Sequence, residues 1–270
     1  MKRLIGLCVL VTFLFPANYG TFLQTYAESQ AAVPNQAEYS HFVFLPLVAK
    51  SEPCKPIPGV SYDAIPTLPP HPHIPASEHP DLNLAVRGYI LNPNAYLGLV
   101  DYGGDSDPGA PQLYSLFQDD RVPVFVNGYR VYDWDWNNNR RGNPITTWDV
   151  TLLGMKTTPG ELIHLPSSGY EIYPGYSALV LYAEETRITL VYRREDTVAY
   201  GYALHLEGIC VDPNLLALYR NLDSQGRSYL PALKKKQPFA TAQSNEIKVA
   251  IRDTGSFMDP RSRKDWWRGK

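Results

Sequence analysis

The sequence predicts an all-β protein built mainly of antiparallel strands, a barrel or sandwich, behind an extended or disordered Pro-rich N-terminal region. Three observations carry this expectation. From Gly160 onward, short segments rich in Val, Ile, Leu and Tyr recur between Gly, Pro and Asp clusters: GELIHLPSSGYEI, YSALVLYA, RITLVYRRED and YGYALHLEGICV. Their spacing is that of sandwich or barrel strands. Tyr (19) and Pro (24) are abundant, which favours strands and turns over long helices. The C-terminal stretch Glu246–Trp267 opens with Ile247, Val249 and Ile251 alternating against Glu246, Lys248 and Ala250, then turns at Asp253-Thr254-Gly255. Such alternation gives one face to a core and one to solvent, and Gly255 supplies the positive φ a hairpin needs.

In chain order, residues 1–30 read as an export signal. Lys2 and Arg3 precede a compact apolar run, Leu4–Phe15, shorter than the roughly 20 residues of a spanning helix. Ala27, Ser29, Ala31 and Ala32 offer alternative cleavage sites, and an uncleaved anchor is the other reading. Residues 31–80 form a linker. It holds one apolar knot, His41–Val48, a candidate extra strand, and a Pro-rich run from Pro53 to Pro80 that suits a semi-rigid polyproline spacer with few core contacts. His71, His73 and His79 lie in it; the metal-binding reading of this HPH is weaker than an incidental one. Removal of the signal leaves Cys54 and Cys210. An even pair in an exported chain reads as a disulfide, the alternative being two unrelated thiols.

The body divides into a β-rich part, residues 81–147, and a second β-domain, residues 148–270. DLNLAVRGYILNP alternates as a strand. Asp101, Asp105 and Asp107 sit in a Gly-rich loop where a hard cation is one reading and turn formation the more common one. VPVFVNGYRVYDWDW reads as two strands around an Asn127-Gly128 turn. Behind it, Trp134, Trp136, Asn137, Asn138, Arg140, Arg141 and Trp148 form an aromatic and polar set suited to a sugar or peptide surface, where flat rings stack and amides orient the ligand. Pro213–Tyr219 is the one clear helical turn, with Pro at its start. The near-zero net charge of −2 gives no support for nucleic acid as a partner.

The intervals of Gly160, Ile163, Leu165, Gly169 and Ile172, the segment Tyr202–Leu206, the segment Lys234–Ala240, and the final Ile251, Arg252, Gly255, Asp259 and Pro260 together resemble the lysostaphin-like (LytM-type) zinc endopeptidases of peptidoglycan. The resemblance covers about Trp148–Trp267 and implies a LytM-like β-domain. It does not bring the metal chemistry. Asp149 stands where that family has its ligating Asp, but Ile145, Glu246 and Lys248 occupy the places of its three histidines. Catalytic zinc needs three protein ligands and an open position. His164 and His205, elsewhere in the body, read better as structural histidines than as a replacement site.

These observations lead to an expectation of a secreted or cell-envelope protein that is non-catalytic, uses no cofactor or metal, and keeps no membrane span after signal cleavage. It would bind cell-wall glycan, peptidoglycan or an envelope protein through a degenerate peptidase groove, with Trp134, Trp136, Asn138, Arg140, Arg141 and Trp148 as the site. The alternatives are a secreted metallohydrolase with altered zinc ligands and a purely structural exported protein.

Overall fold

The computed structural model describes residues 53–270, so the export signal and the His41–Val48 knot lie outside the described residues. The described chain runs β1 (Asp63–Pro66), α1 (Leu84–Arg87), β2 (Tyr89–Leu91), a 3₁₀ turn (Leu113–Leu116), β3 (Phe125–Asp135), β4 (Arg140–Pro144), β5 (Leu152–Lys156) and β6 (Leu162–His164). It continues through β7 (Ala178–Glu184), β8 (Arg187–Val191), β9 (Tyr202–Glu207), β10 (Ile209–Val211), α2 (Pro213–Ser224), β11 (Tyr229–Leu233), β12 (Pro238–Ala242), β13 (Glu246–Asp253), β14 (Ser256–Phe257) and α3 (Arg263–Trp266).

The fold is all-β, and the pairs between these strands are antiparallel. One large sheet has the order β1-β11-β7-β8-β9-β13-β5-β3-β2, with β14 on β13 and β4 on β3; a small sheet has the order β10-β12-β6. The large sheet ends on β1 and β2 rather than closing. Both sheets feed one apolar core, in which Ile163, Val211 and Phe239 join Leu179, Leu190, Leu204 and Val249. Strand β13 is central, pairing with β9 on one side and β5 on the other. Its Ile247, Val249 and Ile251 are fully buried, as their alternation requires. The opposite face is not all solvent: Ala250 and Arg252 are also buried, covered by the chain around α1.

Local chemistry explains the shorter elements. Asp212 caps α2 through Oδ1 and the Asn214 N–H at 2.8 Å, Pro213 follows at the first helical position, and Leu215, Leu216 and Tyr219 face the core. The β13–β14 hairpin turns at Thr254 (φ 45°) and Gly255 (φ 83°), two successive left-handed residues that match the strand twist. Among the described residues no helix is long and apolar enough to cross a membrane.

Three expectations are corrected. Asn127-Gly128 is not a turn; β3 runs straight through it, with an irregularity against β5 between Phe125 and Asn127. Gly128 is there because a Cβ would stand 2.5 Å from the Ala95 Cβ and 2.8 Å from a Val150 methyl. The stretch DLNLAVRG is not strand but the helical turn α1, started by Asn83, whose side chain accepts from the Ala85 N–H. The Pro-rich run is not a free spacer. Within it β1 pairs with β11, Ile65 is 1% exposed, and Leu68 N–H donates to the Arg194 carbonyl at 2.8 Å.

The Cys54–Cys210 disulfide is formed, with Cα atoms 5.4 Å apart, and fastens this strap to β10. Beside it the Ile57 N–H donates to Asp212 Oδ2 at 2.8 Å, so the residue that caps α2 also holds the strap.

Two outcomes are expected. Replacing both cysteines by Ser should cost about 2–5 kcal/mol of stability in urea unfolding, because the bridge closes a long loop; an unmoved midpoint would mean the strap adds nothing. Gly128→Ala should cost about 1–3 kcal/mol by overpacking against Ala95 and Val150.

Candidate binding groove

An open groove of about 800 Å³ lies between the β3–β4 hairpin, with the segment that leaves it, and the β13–β14 hairpin. Pro144, Ile145 and Trp148 line one wall, and Phe257 and Met258 the other. The Trp148 ring is set edge-on to Tyr102, 5.0 Å between centroids, and Tyr102 is anchored by its hydroxyl to Asp259 Oδ2 at 2.8 Å. Asn143, Thr146, Thr147 and Ser256 complete the rim. None of their side chains has a hydrogen-bond partner among the described residues, and neither does the Trp148 indole N–H. The groove thus combines a flat ring and an apolar floor with unengaged amide, hydroxyl and N–H groups, the mixture that holds polyhydroxylated or peptidic ligands.

Two buried arginines form its deep end. Arg87 donates from Nε to the Pro80 carbonyl (3.0 Å), from Nη1 to the Tyr132 carbonyl (3.3 Å) and from Nη2 to Asp81 Oδ1 (2.6 Å). Arg252 donates from Nη1 to the same Asp81 oxygen (2.8 Å) and from Nε to the Gly255 carbonyl (2.8 Å), with Nη2 on that carbonyl as well. Phe257 packs its ring 4.6 Å from the Arg252 guanidinium and 5.6 Å from that of Arg87. Burial works against the Asp81 charge, yet the Arg252 and Arg87 guanidiniums bring its pKa down to about 2.

Behind Phe257 lies His205 on β9, 1% exposed, its ring stacked at 5.9 Å. The Thr189 hydroxyl donates to the Leu82 carbonyl at 2.6 Å, so His205 Nδ1–H donates to Thr189 at 2.9 Å and Nε2 is left an acceptor without a partner. Burial first, then the Arg252 and Arg87 charges, with Asp81 opposing, depress its pKa to about 3.

The six residues named from sequence are not all at the groove. Trp148 lines it. Arg141 reaches across to α1, donating to the Val86 and Ala85 carbonyls at 2.8 and 2.9 Å. Asn138 donates to Asp135 Oδ2 at 2.7 Å and Arg140 lies 3.5 Å from the same carboxylate, both within the β3–β4 hairpin. Trp136 is 55% exposed at the hairpin tip, edge-on to His79 at 5.8 Å. Trp134 has its indole nitrogen buried without a partner. What the sequence reading missed is the second wall: Phe257, Met258 and Arg252 are more than a hundred residues from Trp148, and no local signal joins them.

The positions compared with zinc ligands are otherwise engaged. Glu246 Oε1 accepts from Asn127 Nδ2 and the Tyr129 hydroxyl, both at 3.1 Å, while Lys248 lies between the Tyr129 and Tyr89 rings. Asp149 is held by Arg130 at 3.0 Å and Arg261 at 3.4 Å. His164 sits on the small sheet and His205 on the large one. Among the described residues no group of three or more His, Cys, Asp or Glu side chains is arranged to hold a metal ion. That includes the acidic loop, where Asp101 pairs with Arg263 (2.7 Å) and Asp107 accepts from Tyr170 (2.5 Å) and Tyr202 (3.1 Å). It also includes the HPH run, where His71 lies on Asp196 at 3.2 Å. The C-terminal tryptophans are core residues, Trp267 being fully buried with its N–H on the Pro260 carbonyl at 2.8 Å. Compared with known protein families, curated proteins and solved structures, the chain matches none.

His205 makes the groove's support acid-sensitive. An unfolded imidazole titrates near 6.5 and the folded one near 3, so in this window the unfolded chain binds a proton that the folded one refuses. Stability is therefore complete above pH 6.5 and falls as pH drops toward 3, by up to about 1.4 kcal/mol per pH unit. His79 and His164, also lowered by burial, add to the same trend. His205→Gln should flatten the loss between pH 6.5 and 4.5 in urea titrations; an unchanged slope would exonerate His205.

Proposed function

We propose that this protein is an exported, non-catalytic binding module of the cell envelope that takes a saccharide chain in the groove beside Trp148. The observation that carries this reading is the groove itself: about 800 Å³, walled by Trp148, Ile145 and Phe257, with Asn143, Thr146, Thr147 and Ser256 at its rim, whose side chains have no partner among the described residues. An aromatic ring offers the flat apolar surface that a pyranose face covers, and amides and hydroxyls exchange hydrogen bonds with its hydroxyls. The disulfide fits an oxidising, extracytoplasmic compartment. On this reading the resemblance of Trp148–Trp267 to LytM-type endopeptidases is one of scaffold. Ile145, at a zinc-ligand position of that family, contributes apolar surface to the groove, and Glu246 and Lys248 fill the places of its H-x-H pair, Lys248 standing at the metal-binding one.

The test uses the secreted chain and purified, protease-treated cell-wall polysaccharide, with retention measured by pull-down and affinity by tryptophan fluorescence. Saturable retention, weakened about tenfold by Trp148→Ala, supports the reading. Equal retention of both proteins, or retention only on wall material that still carries protein, sinks it in favour of another surface or an envelope-protein partner.

A further inference from the structure

The deep end of the groove sets two buried cations against one buried carboxylate. Arg87 and Arg252 have side chains 5% and 4% exposed, and both hydrogen-bond one oxygen of one carboxylate, Asp81. A guanidinium has five N–H donors. Each of these two spends three nitrogens on the contacts already described, leaving an N–H on Nη1 and another on Nη2. The second carboxylate, Asp133, reaches Arg87 only from the exposed rim, at 3.6 Å, so an anion seated deeper competes with it for a charge in a poorly hydrated place, where such a contact gains most.

The other charged or titratable groups around the pair do not cancel it. Asp133 comes nearest, 3.6 Å from Arg87 Nη1, but its side chain is 72% exposed and stands at the rim. Asp135 also lines the groove and is occupied by Arg140 and Asn138. His79 and His205 are held below the ordinary imidazole range, by burial first and in part by these same arginines, so they are neutral neighbours. Burial likewise lowers Arg252 itself, with Asp81 opposing and Arg87 adding to the shift.

Resting on the saccharide reading above, we infer that the groove's ligand is an acidic saccharide, whose carboxylate docks on the free N–H groups of Arg87 and Arg252 while an adjoining ring lies against Trp148. Phe257, packed beside both guanidiniums, holds their orientation, and a planar carboxylate matches their paired donors. Asp133 then acts as a rim competitor that the ligand displaces into solvent.

The probes are an oligogalacturonate and its methyl ester, which share shape and differ in charge, titrated against the full secreted chain. The acid should bind about tenfold more tightly than the ester, the scale of one charge-assisted hydrogen bond. Asp133→Asn, which keeps the oxygen that accepts from the Trp134 N–H, should tighten the acid about threefold and leave the ester unchanged. This variant spares the buried arginines, whose removal threatens the fold. Equal binding of acid and ester, or tighter binding of the ester, overturns the acidic-ligand inference and leaves the saccharide groove standing. Binding of neither, in a protein whose near-UV spectrum is intact, also overturns the acidic-ligand inference, and the saccharide reading then stands or falls on the Trp148→Ala pull-down.

Discussion

One carboxylate oxygen, Asp81 Oδ1, accepts hydrogen bonds from two buried arginines, and much of the molecule's working end hangs on that contact. Arg252 belongs to the central strand β13, whereas Arg87 ends the helical turn α1. By sharing Asp81 they lay the chain around α1 over a sheet face that would otherwise be open. Leu84, Val131, Leu152, Ala250 and Phe257 close into a small apolar cluster beneath it. Gly88 then leads directly into β2, which completes the sheet against β3. Removing one partner from such a set leaves a buried charge uncompensated, which costs far more than the set contributes when intact.

The same strand shows how one alternating pattern serves two environments. Glu246 and Lys248 sit on the face of β13 that Ala250 and Arg252 share, yet the first two are half-exposed and the latter two buried. The change comes from neighbouring strands. Opposite Lys248 and diagonal to Glu246, β5 offers Gly154, where a Cβ would stand 2.0 Å from the Glu246 carboxylate; the missing side chain is the space the carboxylate occupies. Further along, α1 and Phe257 cover the surface.

What could be read from the sequence was local. The strands from Ala178 to Glu207, the α2 start at Pro213 and the turn at Gly255 are set by residues within a few positions of one another, and each is where the pattern puts it. Asn127-Gly128 misled because the dipeptide carries a turn signal, while this glycine answers to Ala95 and Val150, which are close only after folding. The Pro-rich strap misled for a related reason: its composition suits a spacer, but Ile57, Ile65 and Ala76 are buried once β11 and β10 lie beside it. Trp148 was legible as a candidate and its opposite wall was not. Arg252 stood out only as part of a motif, with nothing near it in sequence to announce Arg87 and Asp81.

The Cys54–Cys210 bridge spans 156 residues of chain and therefore reroutes force. A pull on the polypeptide upstream of Cys54 does not peel β1 from β11 one hydrogen bond at a time. The load crosses the covalent bridge into β10 and the small sheet, beside the Asp212 cap of α2, while the strap from 55 onward stays slack. A module of this build resists mechanical drag from its N-terminal side through a covalent bond, and the groove at the other end of the strap is spared the strain.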